Sequence, residues 1–243
     1  MNRLALDIGN SHIKAGVFLD ERLVEVRTFQ HNAFPTNLDG LLNEYAIRSS
    51  IVASVAEDDP TIYDKLRHNG PCFIFDHRTT IPLTNRYQSP ETLGLDRLAA
   101  VVGGYGLYPN RDVLVIDAGT CITFDLVNQQ GEYWGGAISP GLEMRLKAMH
   151  YFTGRLPAVE LHSPTEWIGQ TTEKAMLSGT VNGALAEVDG VIRNYQHLYP
   201  DLVVLLTGGD MAMFESNLKS DIFAISHLVL VGLNQILAHH DAD

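Results

Sequence analysis

One design occurs twice in this chain, and it limits the fold more than any other feature. Near the start, Leu4-Ala5-Leu6 runs into Asp7-Ile8-Gly9-Asn10-Ser11, and Ile13, Ala15 and Val17 then alternate with other residues. In the middle, Val113-Leu114-Val115-Ile116 runs into Asp117-Ala118-Gly119-Thr120, and Ile122, Phe124 and Leu126 alternate in the same way. Short apolar runs rich in β-branched residues read as buried strands, and period-two alternation reads as a strand with one buried face. A strand that ends in Asp-x-Gly and folds straight back makes a tight turn. Gly lets the backbone approach a ligand there, while Asp and Thr supply a carboxylate and a hydroxyl. Two such hairpins one domain apart predict two related domains, 1–110 and 111–243, facing each other across a cleft.

The flanking segments fill in the plan. Strands are expected at Leu4–Asp7, His12–Leu19 and Leu23–Phe29, with a helix over Asn37–Arg48 capped by Asn37. A short strand at Ile51–Ala53, a helix from Asp59-Pro60 to about Arg67 and a strand at Cys72–Phe75 complete a mixed sheet flanked by helices. Residues 76–92 form a long polar connection, which in a compact domain is often functional. A helix over about Leu93–Leu107 leads to the second copy. There, strands at 113–117, 121–127 and 132–138 are followed by helices at about Leu142–His150 and Thr171–Tyr199. A strand at Leu202–Leu206 ends in Thr207-Gly208-Gly209-Asp210, and a last helix covers His227–Ala238.

Composition removes several classes of function. A net charge of −12 argues against nucleic acid or an anionic membrane as the main partner, though not against a locally positive anion site. No apolar segment reaches the roughly 18–20 residues needed to span a bilayer, and Asp7 interrupts the first apolar run, so no signal peptide is expected. Cys72 and Cys121 form no CxxC pair and read as reduced core thiols. The expectation is a soluble cytoplasmic protein. Ten histidines form neither HExxH nor a Cys/His cluster, and His239-His240 reads as a solvated tail. Trp134 and Trp167 read as core or interface residues. Asp125 reads as an outward strand carboxylate rather than a second metal ligand.

Gly-rich turns at strand ends expose backbone N–H groups that cradle phosphate oxygens. Neither a G-x-x-x-x-G-K-[ST] loop nor a helix-opening G-x-G-x-x-G is present, so the two hairpins and the third turn at Thr207–Asp210 are the phosphate-binding candidates. Gly94-Leu95-Asp96-Arg97 stands at a loop-to-helix start, where a helix N-terminus favours an anion or a carboxylate. Phosphoryl transfer to an alcohol needs a carboxylate to take the hydroxyl proton and cations to offset phosphate charge. Asp96 suits the first task, and Arg97 suits a substrate carboxylate. Lys14, on the outgoing strand of the first hairpin, reads either as a solvated lysine or as a cation for phosphate.

In order and spacing these motifs resemble the sugar kinase, Hsp70 and actin superfamily, and within it type III pantothenate kinase. The resemblance rests on Asp7–Ser11, Tyr87-x-x-Pro90-x-x-Leu93-Gly94-x-Asp96-Arg97, Asp117–Thr120, Gly135-Gly136-x-Ile138-x-Pro140-Gly141, Thr172 with Ser178-Gly179, and Thr207–Asp210. It covers essentially the whole chain, and Gly-x-Asp-Arg is its most specific part. Leu95 fills the variable position there, and Thr171 stands where the family often has Asn.

The resemblance implies an α/β protein of two similarly built actin/ribonuclease H-like domains, with mixed sheets flanked by helices and ATP in the interdomain cleft. It implies ATP-dependent phosphorylation of pantothenate, with Asp96 as general base and with Mg²⁺ accompanying ATP. Asp7, Ile8, Gly9, Asn10, Ser11, His12, Ile13, Lys14 and Thr120 would bind ATP. Tyr87, Gly94, Leu95, Asp96, Arg97 and Thr172 would bind pantothenate. Asp117 would hold a monovalent cation, K⁺ or NH₄⁺, and the protein would be a homodimer. Two other readings stay open: a kinase of the same superfamily for another small alcohol, and a non-catalytic regulator of gene expression.

Overall fold

The computed structural model describes residues 1–9, 12–54, 59–162 and 166–241. The chain forms two compact units. One comprises Met1–Pro109, Gly131–Tyr133 and the chain from His227 onward; the other comprises Asn110–Gln130 and Trp134–Ser226.

In the first unit, β1 (Asn2–Ile8), β2 (Ile13–Leu19), β3 (Arg22–Phe29), β4 (Ser49–Ser54) and β5 (Cys72–Ile74) form a sheet in the order β3-β2-β1-β4-β5. The β1–β2 and β2–β3 pairs are antiparallel, and β1–β4 and β4–β5 are parallel. The alternation seen in the sequence decides what each face carries. Leu4, Leu6 and Ile8 of β1, with Ile13, Ala15 and Val17 of β2, are buried against α1 (Phe34–Tyr45) and α2 (Pro60–Asn69). Each such side chain contributes roughly 1.5–3 kcal/mol of burial. Asp7 and Lys14 therefore lie on the other face, and they are direct cross-strand partners. Asp59 caps α2 by accepting from the Thr61 N–H at 2.9 Å. The 76–92 connection holds β6 (Thr84–Asn85), which pairs in parallel with Glu132 and Tyr133 at the start of β9 (Glu132–Pro140).

The face of the sheet opposite α1 and α2 is covered by α7 (Leu228–Asp241), whose Leu230 side chain lies 3.1 Å from where a Cβ on Gly16 would be. Helix α7 packs on α3 (Leu95–Leu107), and a Cβ at Gly103 would lie 2.7 Å from the Leu228 carbonyl. This packing places the last helix with the first unit, although it follows the second copy in sequence.

The second unit repeats the plan. Its strands β7 (Val113–Ala118), β8 (Cys121–Val127), β9, β10 (Val203–Thr207) and β11 (Phe223–Ala224) stand in the order β9-β8-β7-β10-β11. Apart from β6, which adds a sixth strand beyond β9, that is the order of the first sheet. Leu114, Ile116, Ile122 and Phe124 pack with Val181, Ala184, Val188 and Ile192 of α5 (Thr172–Leu198). Helix α4 (Leu142–Phe152) and the short α6 (Met211–Glu215) complete the unit.

Several local expectations change. Helix α1 begins at Phe34, three residues before Asn37, because Pro35 sits in its first turn, where its fixed φ and missing N–H cost nothing. Asn37 is inside that helix and donates its amide to the Ala33 carbonyl at 2.7 Å rather than capping. Asp125 is buried, at 1 % exposure, not outward. His239 and His240 belong to α7. The His240 ring stacks on Phe73 at 5.5 Å and bonds the Thr80 carbonyl at 3.0 Å, so this end of the chain is docked rather than solvated. Trp134 and Trp167 are exposed and belong to no core. Both cysteines are free and half-buried.

Candidate active site

In the first unit the site grows from the β1–β2 turn. The register runs Ile8 opposite Ile13 and Asp7 opposite Lys14, and the Gly9 N–H closes the turn on the His12 carbonyl at 3.1 Å. Ile8 and Ile13 point into the core at 5 % and 1 % exposure, so only their backbones can meet a ligand. Asn10 and Ser11 lie outside the described residues. Burial pushes the Asp7 carboxyl up to about 6. Lys14 opposes this shift, and the nearby Asp96 carboxylate adds to it. Asp7, Lys14 and Asp96, distant in sequence, therefore share one electrostatic neighbourhood. A group that prefers to be protonated near pH 6 beside a lysine and a second carboxylate has the perturbed character of a functional site.

Asp96 reaches this place on the first turn of α3, where a carboxylate is favoured by the helix dipole. Its Oδ1 accepts the Arg97 N–H at 2.8 Å. A Cβ on Gly94 would lie 2.5 Å from that same Oδ1, which gives the Gly-x-Asp-Arg spacing a steric cause. The carboxylate folds back over residue 94, and a side chain there would have to displace it.

Arg97 is buried at 8 % exposure, with its guanidinium 5.8 Å from the centre of the Tyr87 ring. Tyr87 in turn stacks on the fully buried Tyr133 at 6.1 Å. The sequence did not mark Tyr133, because it is 46 residues from Tyr87 and is brought there by the β6–β9 pairing. Leu95, half-buried, opens α3 beside these groups.

His227 is the second residue the sequence missed. It stands immediately before α7 with φ +60°, and its carbonyl accepts the Val231 N–H at 3.1 Å. Burial and the charge of Lys14 hold its imidazole below the usual histidine range. The N-termini of α3 and α7 thus both come to the Asp7–Lys14 pair, a placement that favours anions.

The second unit carries the matching turn. Asp117 is the penultimate residue of β7, and the Gly119 N–H bonds the Cys121 carbonyl at 2.9 Å, as Gly9 bonds His12. The third glycine-rich turn stands beside it. Thr207 is in register with Asp117, and the Asp210 N–H donates to the Ala118 carbonyl at 2.9 Å. Gly208 has φ +104°, and a Cβ there would lie 2.5 Å from Asp117 Oδ1. Burial, with Glu143 nearby, raises the Asp210 carboxyl. Thr120 is exposed at the turn, so its hydroxyl is free to face a ligand. Thr172 is the exposed first residue of α5, after Thr171 has capped the helix by accepting from the Lys174 N–H at 3.2 Å. Among the described residues, no group of three or more His, Cys, Asp and Glu side chains is placed to hold a metal ion by itself.

Comparison with known proteins bears on this geometry directly. A family model described as type III pantothenate kinase matches residues 3–194. Type III pantothenate kinase of Bacteroides fragilis strain YCH46 is 44% identical over 239 residues, covering 98% of each chain. That of Christiangramia forsetii is 43% identical over 235 residues, covering 96% of this chain and 97% of the relative. Among solved structures, a protein described as a Baf family transcriptional activator from Campylobacter jejuni aligns over 99% of this chain and 100% of its own. Its TM-score is 0.60 and its identity 22%. A ROK family glucokinase from Streptomyces griseus, solved with glucose and AMPPNP, aligns over 97% and 99% with a TM-score of 0.52 and 10% identity. At those identities the two structures speak for the fold alone, which is that of the sugar-kinase and actin-like group.

Proposed function

Because the chain belongs to the type III pantothenate kinase family, we propose that it transfers the γ-phosphoryl group of ATP to the primary hydroxyl of pantothenate. The products are 4′-phosphopantothenate and ADP, the first step of coenzyme A biosynthesis. The observation that carries the chemistry is the convergence of Asp7, Lys14 and Asp96 at the end of β1.

In this reading Asp96 accepts the proton of the hydroxyl as its oxygen bonds to the γ-phosphorus and the bond from that phosphorus to the bridging oxygen of ADP breaks. The Arg97 N–H on Oδ1 keeps the carboxylate aimed, and leaves the other oxygen for the proton. Arg97 holds the carboxylate of pantothenate, and Tyr87, Gly94, Leu95 and Thr172 line the rest of the acceptor. Asp7 to Lys14 form the first phosphate turn, in which Lys14 offsets charge, and Thr120 supplies a hydroxyl to ATP from the second turn.

A divalent cation bound with ATP would neutralise phosphate charge, and the donor set suits one. Asp7 and Asp96 offer hard carboxylate oxygens, and such ions take one or two carboxylates plus phosphates. A nearby cation would also draw Asp7 into its ionised form. Asp117 is the residue for a monovalent cation, K⁺ or NH₄⁺, with backbone carbonyls of the adjoining turns.

We place the protein in the cytoplasm and as a homodimer. Among the described residues no helix is long and apolar enough to cross a membrane. Tyr151, Phe152, Trp167 and Ile168 are 71–81% exposed, and nothing lies within 4 Å of a Cβ built on Gly179 or Gly183 of α5. An open small-residue face with exposed aromatics suits a second copy. Light scattering that gave a monomer at micromolar concentration would remove the dimer.

The activity itself is tested by ADP release with a panel of acceptors. Turnover is expected with pantothenate. Turnover with sugars alone, or none across the panel, would refute the proposal.

A further inference from the structure

His31 holds the first phosphate turn from outside it. Its Nε2 lies 2.9 Å from the Gly9 carbonyl oxygen. A carbonyl only accepts, so Nε2 carries the hydrogen and donates. The contact spans the sheet. Ile8, Ile13 and Phe29 stand side by side on β1, β2 and β3, and Gly9 and His31 follow Ile8 and Phe29 by one and two residues. His31 is itself firmly based. The N–H groups of Ala33 and Phe34 both bond the Gln30 carbonyl, at 3.1 and 3.2 Å, and close a turn around it. The Phe29 and Phe34 rings, 5.3 Å apart, brace the two ends of that turn, and Phe34 is fully buried.

We propose that His31 is a positioning residue for nucleotide binding, holding the Gly9 carbonyl so that it does not turn toward the phosphates of ATP. The inference rests on the reading of Asp7–Lys14 as the ATP phosphate turn. A free carbonyl at the turn can rotate toward the phosphates and repel them. One tied to His31 can not, and its negative end is offset by the N–H it accepts. The Gly9 N–H is already used within the turn on the His12 carbonyl. His31 is therefore what fastens the other end of the Gly9 residue, and it does so from a different supersecondary element.

The test measures KM for ATP and for pantothenate, kcat and thermal midpoint in three variants of the full chain: His31→Leu, His31→Gln and Asp7→Asn. Losing one hydrogen bond of this kind corresponds to roughly a three- to tenfold change. His31→Leu is expected to raise KM for ATP by about that factor, with KM for pantothenate and the thermal midpoint near wild type. His31→Gln, which can still donate, is expected to recover most of the loss. A His31→Leu variant with unchanged KM for ATP, while Asp7→Asn disturbs ATP kinetics, overturns the role of His31 and leaves the phosphate turn standing. If neither residue affects ATP kinetics, the phosphate turn itself is misassigned. Equal losses for both substrates with a lowered midpoint and no rescue by Gln would make His31 merely structural, and would also overturn the proposal.

Discussion

Replacing Asp7 with Asn should make the unliganded protein more stable while costing it activity. Burial, reinforced by Asp96 and only partly offset by Lys14, raises the Asp7 carboxyl from 3.8 to about 6. A raised acid means that the folded state holds its proton more tightly than the unfolded chain does. Below about pH 4 both states are protonated and Asp7 costs nothing. Between about pH 4 and 6 the unfolded chain ionises first, so folding stability falls as pH rises. Above about 6 the penalty is constant. Two pH units correspond to roughly 3 kcal/mol at about 1.36 kcal/mol each, an upper bound because the amide also resists burial. For a chain of this size each kcal/mol moves the melting temperature by about 2–4 °C, so Asp7→Asn should melt roughly 5–10 °C higher at pH 8. Denaturant unfolding of nucleotide-free wild type and variant at pH 4 and pH 8 reads this directly. The curves should coincide at pH 4 and separate at pH 8, with kcat reduced in the variant. An Asn variant no more stable than wild type at pH 8, or a gap independent of pH, would refute the argument that Asp7 is held against its own ionisation.

Asp96→Asn keeps shape and removes the proposed base, so kcat should fall by about 10²–10⁴ with the fold intact; a variant keeping more than roughly a tenth of kcat would end the general-base assignment. Arg97→Ala should instead raise KM for pantothenate, by roughly 1.5–3 kcal/mol for a lost charged hydrogen bond, with some loss of stability because its guanidinium packs on Tyr87. Gly94→Ala should mimic Asp96→Asn more mildly, since its methyl would displace Asp96 Oδ1; circular dichroism and kcat measured together would show whether the carboxylate alone has moved. If Asp117 holds a monovalent cation, replacing K⁺ and NH₄⁺ by Na⁺ should reduce the rate steeply, and equal rates in Na⁺ and K⁺ count against that assignment.

What the sequence made legible was the part written in short-range patterns. The apolar runs before Asp7 and Asp117, and the alternation after them, are enough to place the strands and the Asp-x-Gly turns between them. The repeated strand order followed from having that pattern twice. The helix start at α1 was missed because two signals competed. Asn37 is a good cap by type, but Pro35 fits the first turn of a helix already under way, and Asn37 lies inside that helix. Asp125 was read outward because a lone strand carboxylate usually is. Its burial comes from its place inside the sheet, where it stands opposite the buried Val115.

The residues around the acceptor and phosphate groups that escaped reading share one cause. Tyr133 reaches Tyr87 only through the β6–β9 pairing, a two-residue ladder too short to have a period. His227 meets Lys14 only because α7 returns to the first unit after the whole second copy has been built. His31 meets Gly9 only because β3 ends two residues before it, in the row of Ile8 and Ile13. A lone histidine in a turn carries no spacing that points to a glycine 22 residues earlier. Its meaning lies in the register of three strands, and register follows from which face of each strand is buried. The apolar alternation that was visible thus contains the His31 contact implicitly, but only once Phe29 is set beside Ile13.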